Sequence, residues 1–228
     1  MPKKKLTPMR KALLQIALPL SIATALCLML YTLRVLISGS WQFWFLNWNL
    51  VLAWVPVLLS SALVISLRTR RWLSWQNLGL TAAWLIFLPN TFYLLTDFVH
   101  LGDYDQITLL FDIVLFLTYA LTGVALGWIS VYMVHGELKK RKPRDTRWLL
   151  LLLVFLLCSF AMYIGRNLGW NSWDILLNPD GIIMDTTQRL AYPDRYAETY
   201  SITALFFVFI TISYLAFYTT IKGLSTHK

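Results

Sequence analysis

The sequence predicts an all-α fold, a polytopic membrane helix bundle of about six transmembrane helices in a single domain over residues 1–228. Both termini are expected in the cytoplasm, with a short interfacial helix on the outer side. Three observations predict this. The chain is 58% apolar and 14% charged, with a mean hydropathy of +0.60, where a soluble domain carries roughly 25% charged residues. Apolar stretches long enough to cross a bilayer recur along its whole length. The connections between them alternate in charge.

The stretches lie at about 12–36, 43–67, 78–99, 107–134, 148–168 and 200–221, and each suffices as helix for a hydrocarbon core of about 30 Å. None alternates with period two as a barrel strand does. No internal repeat is visible, so an inverted-repeat transporter gains no support. Residues 169–199 form the longest outer loop.

The first stretch follows Lys3, Lys4 and Lys5 and contains the small residues Ala23, Thr24 and Ala25, which also suits a cleavable signal peptide. Apolar sequence continues through 26–33, and Leu26 is bulky where a lipoprotein signal needs a small residue, so an uncleaved anchor is the better reading. The charge map by itself also allows a five-span mature form.

Orientation follows from the basic residues. Lys3, Lys4, Lys5, Arg10 and Lys11 precede span one; Arg68, Arg70 and Arg71 follow span two. Lys139, Lys140, Arg141, Lys142, Arg144 and Arg147 join spans four and five, and Lys222 and Lys228 end the chain. Of the eleven acidic residues only Glu137 and Asp145 fall in these segments, so the positive-inside rule makes them cytoplasmic. Tryptophans mark both interfaces, Trp41, Trp44, Trp48, Trp170 and Trp173 outside and Trp72, Trp75 and Trp148 inside. The net charge of +9 therefore points to the bilayer, with anionic lipid at the cytoplasmic loops, and not to nucleic acid. No glycine-rich phosphate loop suggests cytoplasmic enzymology. Cys27 and Cys158 sit inside apolar runs and suggest neither disulfide nor metal. Nothing in the sequence points to a particular protein partner.

The polar residues gather at the outer ends. In span three, Pro89 removes a backbone donor and predicts a kink that leaves the Leu85 carbonyl for Asn90 or a neighbouring helix. Asn90, Tyr93, Asp97 and His100 follow at i, i+3, i+7 and i+10 and share one face if the helix continues. Asp103 and Asp105 make an acidic turn. Asp112 lies about one turn inside span four, at a depth where an ionisable group needs a partner or water. Arg166 ends span five, and Asp97, Asp112 or Asp174 can each pair with it. Asn171 or Ser172 can cap a short helix with Asp174 in its first turn, ahead of an Asn178-Pro179-Asp180-Gly181 turn. The loop reads as a plain connector ahead of a lid over the polar cluster.

For chemistry, Asp97, His100 and Asp112 are the candidate acid–base residues. Asn90, Tyr93, Arg166, Asn171, Trp173 and Asp174 are candidate substrate-binding residues, with Arg166 holding a phosphate or carboxylate. Asp97 and His100 at i, i+3 also resemble a pair of metal ligands. His100 is the sole outer histidine and no cysteine joins it, so no metal or cofactor is predicted. Ser172 as nucleophile lacks a glycine-flanked elbow. The leading expectation is an outward-facing polar pocket acting on a lipid-linked or cell-envelope substrate. Its competitors are a non-catalytic accessory or assembly protein, whose polar residues merely fix helix packing, and a small transporter.

Two motifs carry a family resemblance. Leu88-Pro89-Asn90, Tyr93, Thr96-Asp97 and His100-Leu101, then Gly165-Arg166 and Asn171-Ser172-Trp173-Asp174, resemble the bacterial integral membrane family catalogued as domain of unknown function 1361. The resemblance spans roughly residues 40–220. It implies a multi-pass bacterial cytoplasmic-membrane protein and points to the same outer residues, but brings no reaction with it.

Overall fold

The computed structural model describes residues 8–101 and 109–226, with side chains from 17 to 101 and from 109 to 224. The basic side chains at 3–11, the Asp103–Asp105 turn, His227 and Lys228 fall outside the described residues. Helix α1 (Pro8–Ser38) stops at Gly39, whose φ of +67° leaves the right-handed helix at no steric cost. Helix α2 (Trp44–Ser66) follows after a short turn.

Span three is not one helix. It is divided into α3 (Trp75–Phe87), α4 (Pro89–Tyr93) and a 3-10 turn (Thr96–His100). Pro89 supplies no amide to the helix, and its ring displaces the carbonyl one turn back. Leu88 keeps helical angles, φ −55° and ψ −40°, so the chain bends and does not unravel. The side chains gathered at the break bond the carbonyls of Phe87 and Ile86, and not that of Leu85 as expected. Asn90 Nδ2 donates to the first at 2.9 Å and Ser172 Oγ to the second at 3.1 Å.

Helices α5 (Leu109–Arg141), α6 (Arg144–Leu168) and α9 (Ala197–Thr226) complete the long elements. Among the described residues five helices are individually long and apolar enough to cross a membrane, at Ala17–Ser38, Trp44–Ser66, Leu109–Arg141, Arg144–Leu168 and Ala197–Leu224. No strand occurs among the described residues.

Helix α5 is the axis of the bundle, touching α1, α2, α4, α6 and α9. Its small residues let neighbours approach. A Cβ on Gly123 would lie 2.5 Å from the Thr91 carbonyl oxygen, so α4 packs directly onto the α5 backbone there. The segmented element runs antiparallel along nearly all of α5. Trp72 faces Arg141, Trp84 Nε1 donates to Ser130 Oγ at 2.7 Å, Thr91 meets Gly123 and Gly127, and the Phe98 ring lies 5.9 Å from that of Phe116. Ser130 Oγ also donates to the Pro56 carbonyl at 3.0 Å, tying α2 to the same level. Helices α6 and α9 pair antiparallel through Phe155 with Tyr214 and Trp148 with Tyr218.

This packing separates two chemically different ends. Arg34, Asp97, Asp112, Arg166 and Asp174 share one; Arg68, Arg70, Arg71 and the 139–147 run share the other. At the basic end Glu137 is buried, bonded to Lys140 and Arg141, and Arg141 Nη2 donates to the Leu67 carbonyl at 3.0 Å. Part of the basic run thus closes the α2 and α5 ends onto each other.

The 169–199 loop holds more helix than expected. Helix α7 (Asp174–Leu177) is the short helix anticipated, but the Asn178-Pro179-Asp180-Gly181 stretch begins a second helix, α8 (Pro179–Ala191), instead of a turn. Asn178 accepts from the Gly181 amide at 3.2 Å, Pro179 occupies the first helical position, where its missing amide costs nothing, and Asp180 follows in the first turn. Leu176, Leu177, Ile183, Met184 and Leu190 form an exposed apolar face, while Asp185, Thr186 and Arg189 turn inward.

Candidate functional site

The site is built where the 3-10 turn meets the exit of α6. Asp97 is 1% exposed and both its oxygens are engaged. Arg166 Nη2 donates to Oδ1 at 2.5 Å and Asn49 Nδ2, from α2, to Oδ2 at 2.9 Å. Arg166 Nε and Nη2 also reach Thr96 Oγ1, at 2.8 and 2.6 Å, and Nη1 lies 3.3 Å from His100 Nε2. The guanidinium stacks on the Tyr93 ring, 4.5 Å from its centroid, and the His100 ring packs edge-on against Phe45 at 5.0 Å. One charge of each sign, hydrogen-bonded on nearly every side, makes this a clasp holding α2, the 3-10 turn and α6 together.

Tyr93 separates the clasp from a cleft of about 190 Å³. Its apolar wall includes Leu52, Ile86, Phe160, Ala161 and Ile164, and Ile175 and Ile182 close it from α7 and α8. Its polar groups are Asn49, Asn90, Tyr93, Asn171, Ser172 and Thr186. Asn90 Nδ2 donates to Ser172 Oγ at 2.8 Å and Tyr93 Oη to the Gly165 carbonyl at 3.3 Å. Trp170, also in the lining, donates Nε1 to Asp185 Oδ2 at 2.8 Å and fixes α8 over the cleft.

A family model described as a protein of unknown function, DUF1361, matches residues 48–217, from the first turns of α2 through most of α9. The chain belongs to this family. No curated protein and no solved structure matches it. Every residue of the DUF1361 clasp and cleft except Phe45 lies within the match, whereas α1 lies before it.

In this DUF1361 protein the break at Pro89 does not scatter the predicted polar face. Asn90, Tyr93, Asp97 and His100 all reach the 165–172 segment, through Ser172, Gly165 and Arg166. Asp112 does not join them. It forms a second buried pair with Arg34, Nε to Oδ1 at 2.9 Å and Nη2 to Oδ2 at 3.4 Å, with the guanidinium 4.0 Å over the Phe43 ring. Asp174 also stays away from Arg166. Its Oδ2 accepts from the Asn171 amide at 2.7 Å and from Asn171 Nδ2 at 3.3 Å, reaching back over the start of α7. Trp173 packs edge-on to Trp48 at 6.3 Å and is not part of the cleft lining.

Three partners escaped the sequence reading. Asn49 sits in an apolar span with no distinctive spacing, Thr96 stands out only as part of a motif, and Arg34 lies within the first apolar stretch. Among the described residues no three His, Cys, Asp or Glu side chains converge as metal ligands.

Proposed function

We propose that this is a six-pass cytoplasmic-membrane protein, both termini inside, whose outward-facing cleft binds an amphiphilic lipid-linked or cell-envelope molecule. The positive-inside rule supports the orientation, and the antiparallel course of the 72–98 segment along α5 supports a sixth crossing beside the five long helices. One observation carries the binding reading: the cleft joins an apolar wall to a small set of amide and hydroxyl groups at the bundle end, the mixed lining that suits an amphiphile. Its volume, below the roughly 300–1,000 Å³ of sites that swallow a drug-sized ligand, suits a headgroup and first chain carbons while the tails remain in lipid. The apolar outer face of α7 and α8 suits a place at the membrane interface.

Binding is favoured over turnover because Asp97 offers no unoccupied oxygen and Asp112 belongs to another pair. The test is native mass spectrometry of the protein purified in mild detergent, beside Ala161→Trp, which fills the cleft from α6. A retained amphiphile in the first and its loss from a folded, monodisperse variant is the expected result. Equal retention in both, or none in either, refutes the reading.

A further inference from the structure

Among the described residues no Asp, Glu, Lys, Arg or His lines the cleft. Of the charges bonded to lining residues, Asp97 is satisfied by Arg166 behind the Tyr93 ring, Asp185 pairs with Arg189, and Asp174 accepts from Asn171. An ionised headgroup entering here would lose water without gaining a counter-charge, which is costly. The hydrogen-bonding groups of the wall are also unequal. Asn90 spends both Nδ2 hydrogens on the Phe87 carbonyl and Ser172, and Ser172 spends its own on the Ile86 carbonyl. Tyr93 gives its hydrogen to the Gly165 carbonyl, and Asn171 Nδ2 is directed to the Gly169 carbonyl and Asp174. Asn49 gives one to Asp97. The Phe87 carbonyl and the Asp97 carboxylate can only accept, so they fix which way the Asn90 and Asn49 amides point. Asn49 keeps its second Nδ2 hydrogen and Thr186 its hydroxyl; otherwise these side chains retain acceptor oxygens for a ligand.

We infer that the cleft takes the uncharged, hydroxyl-bearing headgroup of a neutral amphiphile, and not a phosphate or carboxylate. Hydroxyls can both donate to the Asn49 and Asn90 oxygens and accept from Thr186, whereas an anion, which can only accept, finds two neutral donors and no cation in the wall. This rests on the amphiphile reading above and reverses the sequence-based expectation that Arg166 holds an anion. A diacylglycerol and a glycosylated diacylglycerol share the required chemistry.

The experiment places the full chain in phosphatidylcholine nanodiscs and offers dioleoylglycerol, its monoglucosyl derivative or dioleoyl phosphatidic acid. Cleft binding is counted as the portion abolished by Ala161→Trp and by Ile182→Trp, which fill it from α6 and α8, so that lipid held at the basic end does not contribute. At least one neutral lipid is expected to occupy the cleft about ten-fold or more in excess of phosphatidic acid. Comparing the two neutral lipids identifies the source of the hydroxyls. Phosphatidic acid bound as well or better overturns the inference and leaves amphiphile binding intact. No cleft-dependent binding of any of the three, with no endogenous amphiphile retained on purification, removes the binding reading itself.

Discussion

Arg166 and Asp97 show how single residues hold this bundle. Each is the other's charge partner, and their surroundings are nearly dry: the Asp97 side chain is 2% exposed and that of Arg166 22%. Asp97→Ala therefore leaves a guanidinium with Thr96 and His100 but no anion, and the expected loss is about 3 kcal/mol of stability, seen as a lower thermal transition in detergent. Arg166→Lys is not expected to substitute, since an ammonium cannot reach Thr96, Asp97 and the Tyr93 face together. Removing both charges, as in Asp97→Asn with Arg166→Met, should recover part of the loss. A double variant no more stable than Asp97→Ala would show that the clasp is not a coupled pair. The pairing of Arg166 with Asp97 was legible in the sequence only as one of three options. Choosing among them needed the packing of α6 against the 3-10 turn, and Arg34 had already taken Asp112 across α1 and α5.

At the scale of elements, the long apolar helices were legible because hydrophobic length alone marks a membrane-spanning segment. The kink at Pro89 was legible for the same local reason. The length of the interruption was not, because it depends on Thr91 and Leu94 packing onto a bare α5 backbone. Glycine spacing tests that contact. Gly123→Ala places a methyl 2.5 Å from the Thr91 carbonyl oxygen, so α4 must move, at a cost of about 1–3 kcal/mol. Gly136, further along the same helix, has open space around its Cα, and Gly136→Ala is expected to be neutral or to stabilise by up to about 1 kcal/mol through helix propensity. Gly123→Ala should lower thermal stability and Gly136→Ala should not; a drop of similar size in both would mean that the α4–α5 contact is not what Gly123 protects. Helix α8 was missed for a different reason. Asn-Pro-Asp-Gly serves equally as a turn or as a cap followed by a first helical turn, and the deciding contacts, Trp170 with Asp185 and Tyr200 Oη with the Arg189 carbonyl, lie outside the stretch.

For the molecule as a whole, charge and packing bear on one question, which end faces which side. Basic side chains at 68–71 and 139–147 lie together at the end opposite the clasp, so a single orientation decides the location of both. Holding that many Lys and Arg on the outer side would oppose the bias that governs insertion. Both native cysteines are buried, which leaves an introduced thiol as the readily labelled one. Asp180→Cys at the exposed start of α8 should react with a membrane-impermeant maleimide on intact cells, and Arg70→Cys only after permeabilisation. Both reacting on intact cells would mean that the segment from α3 to the 3-10 turn folds back without crossing. Only Arg70→Cys reacting would invert the protein and put the cleft in the cytoplasm, where a cell-envelope ligand could not reach it.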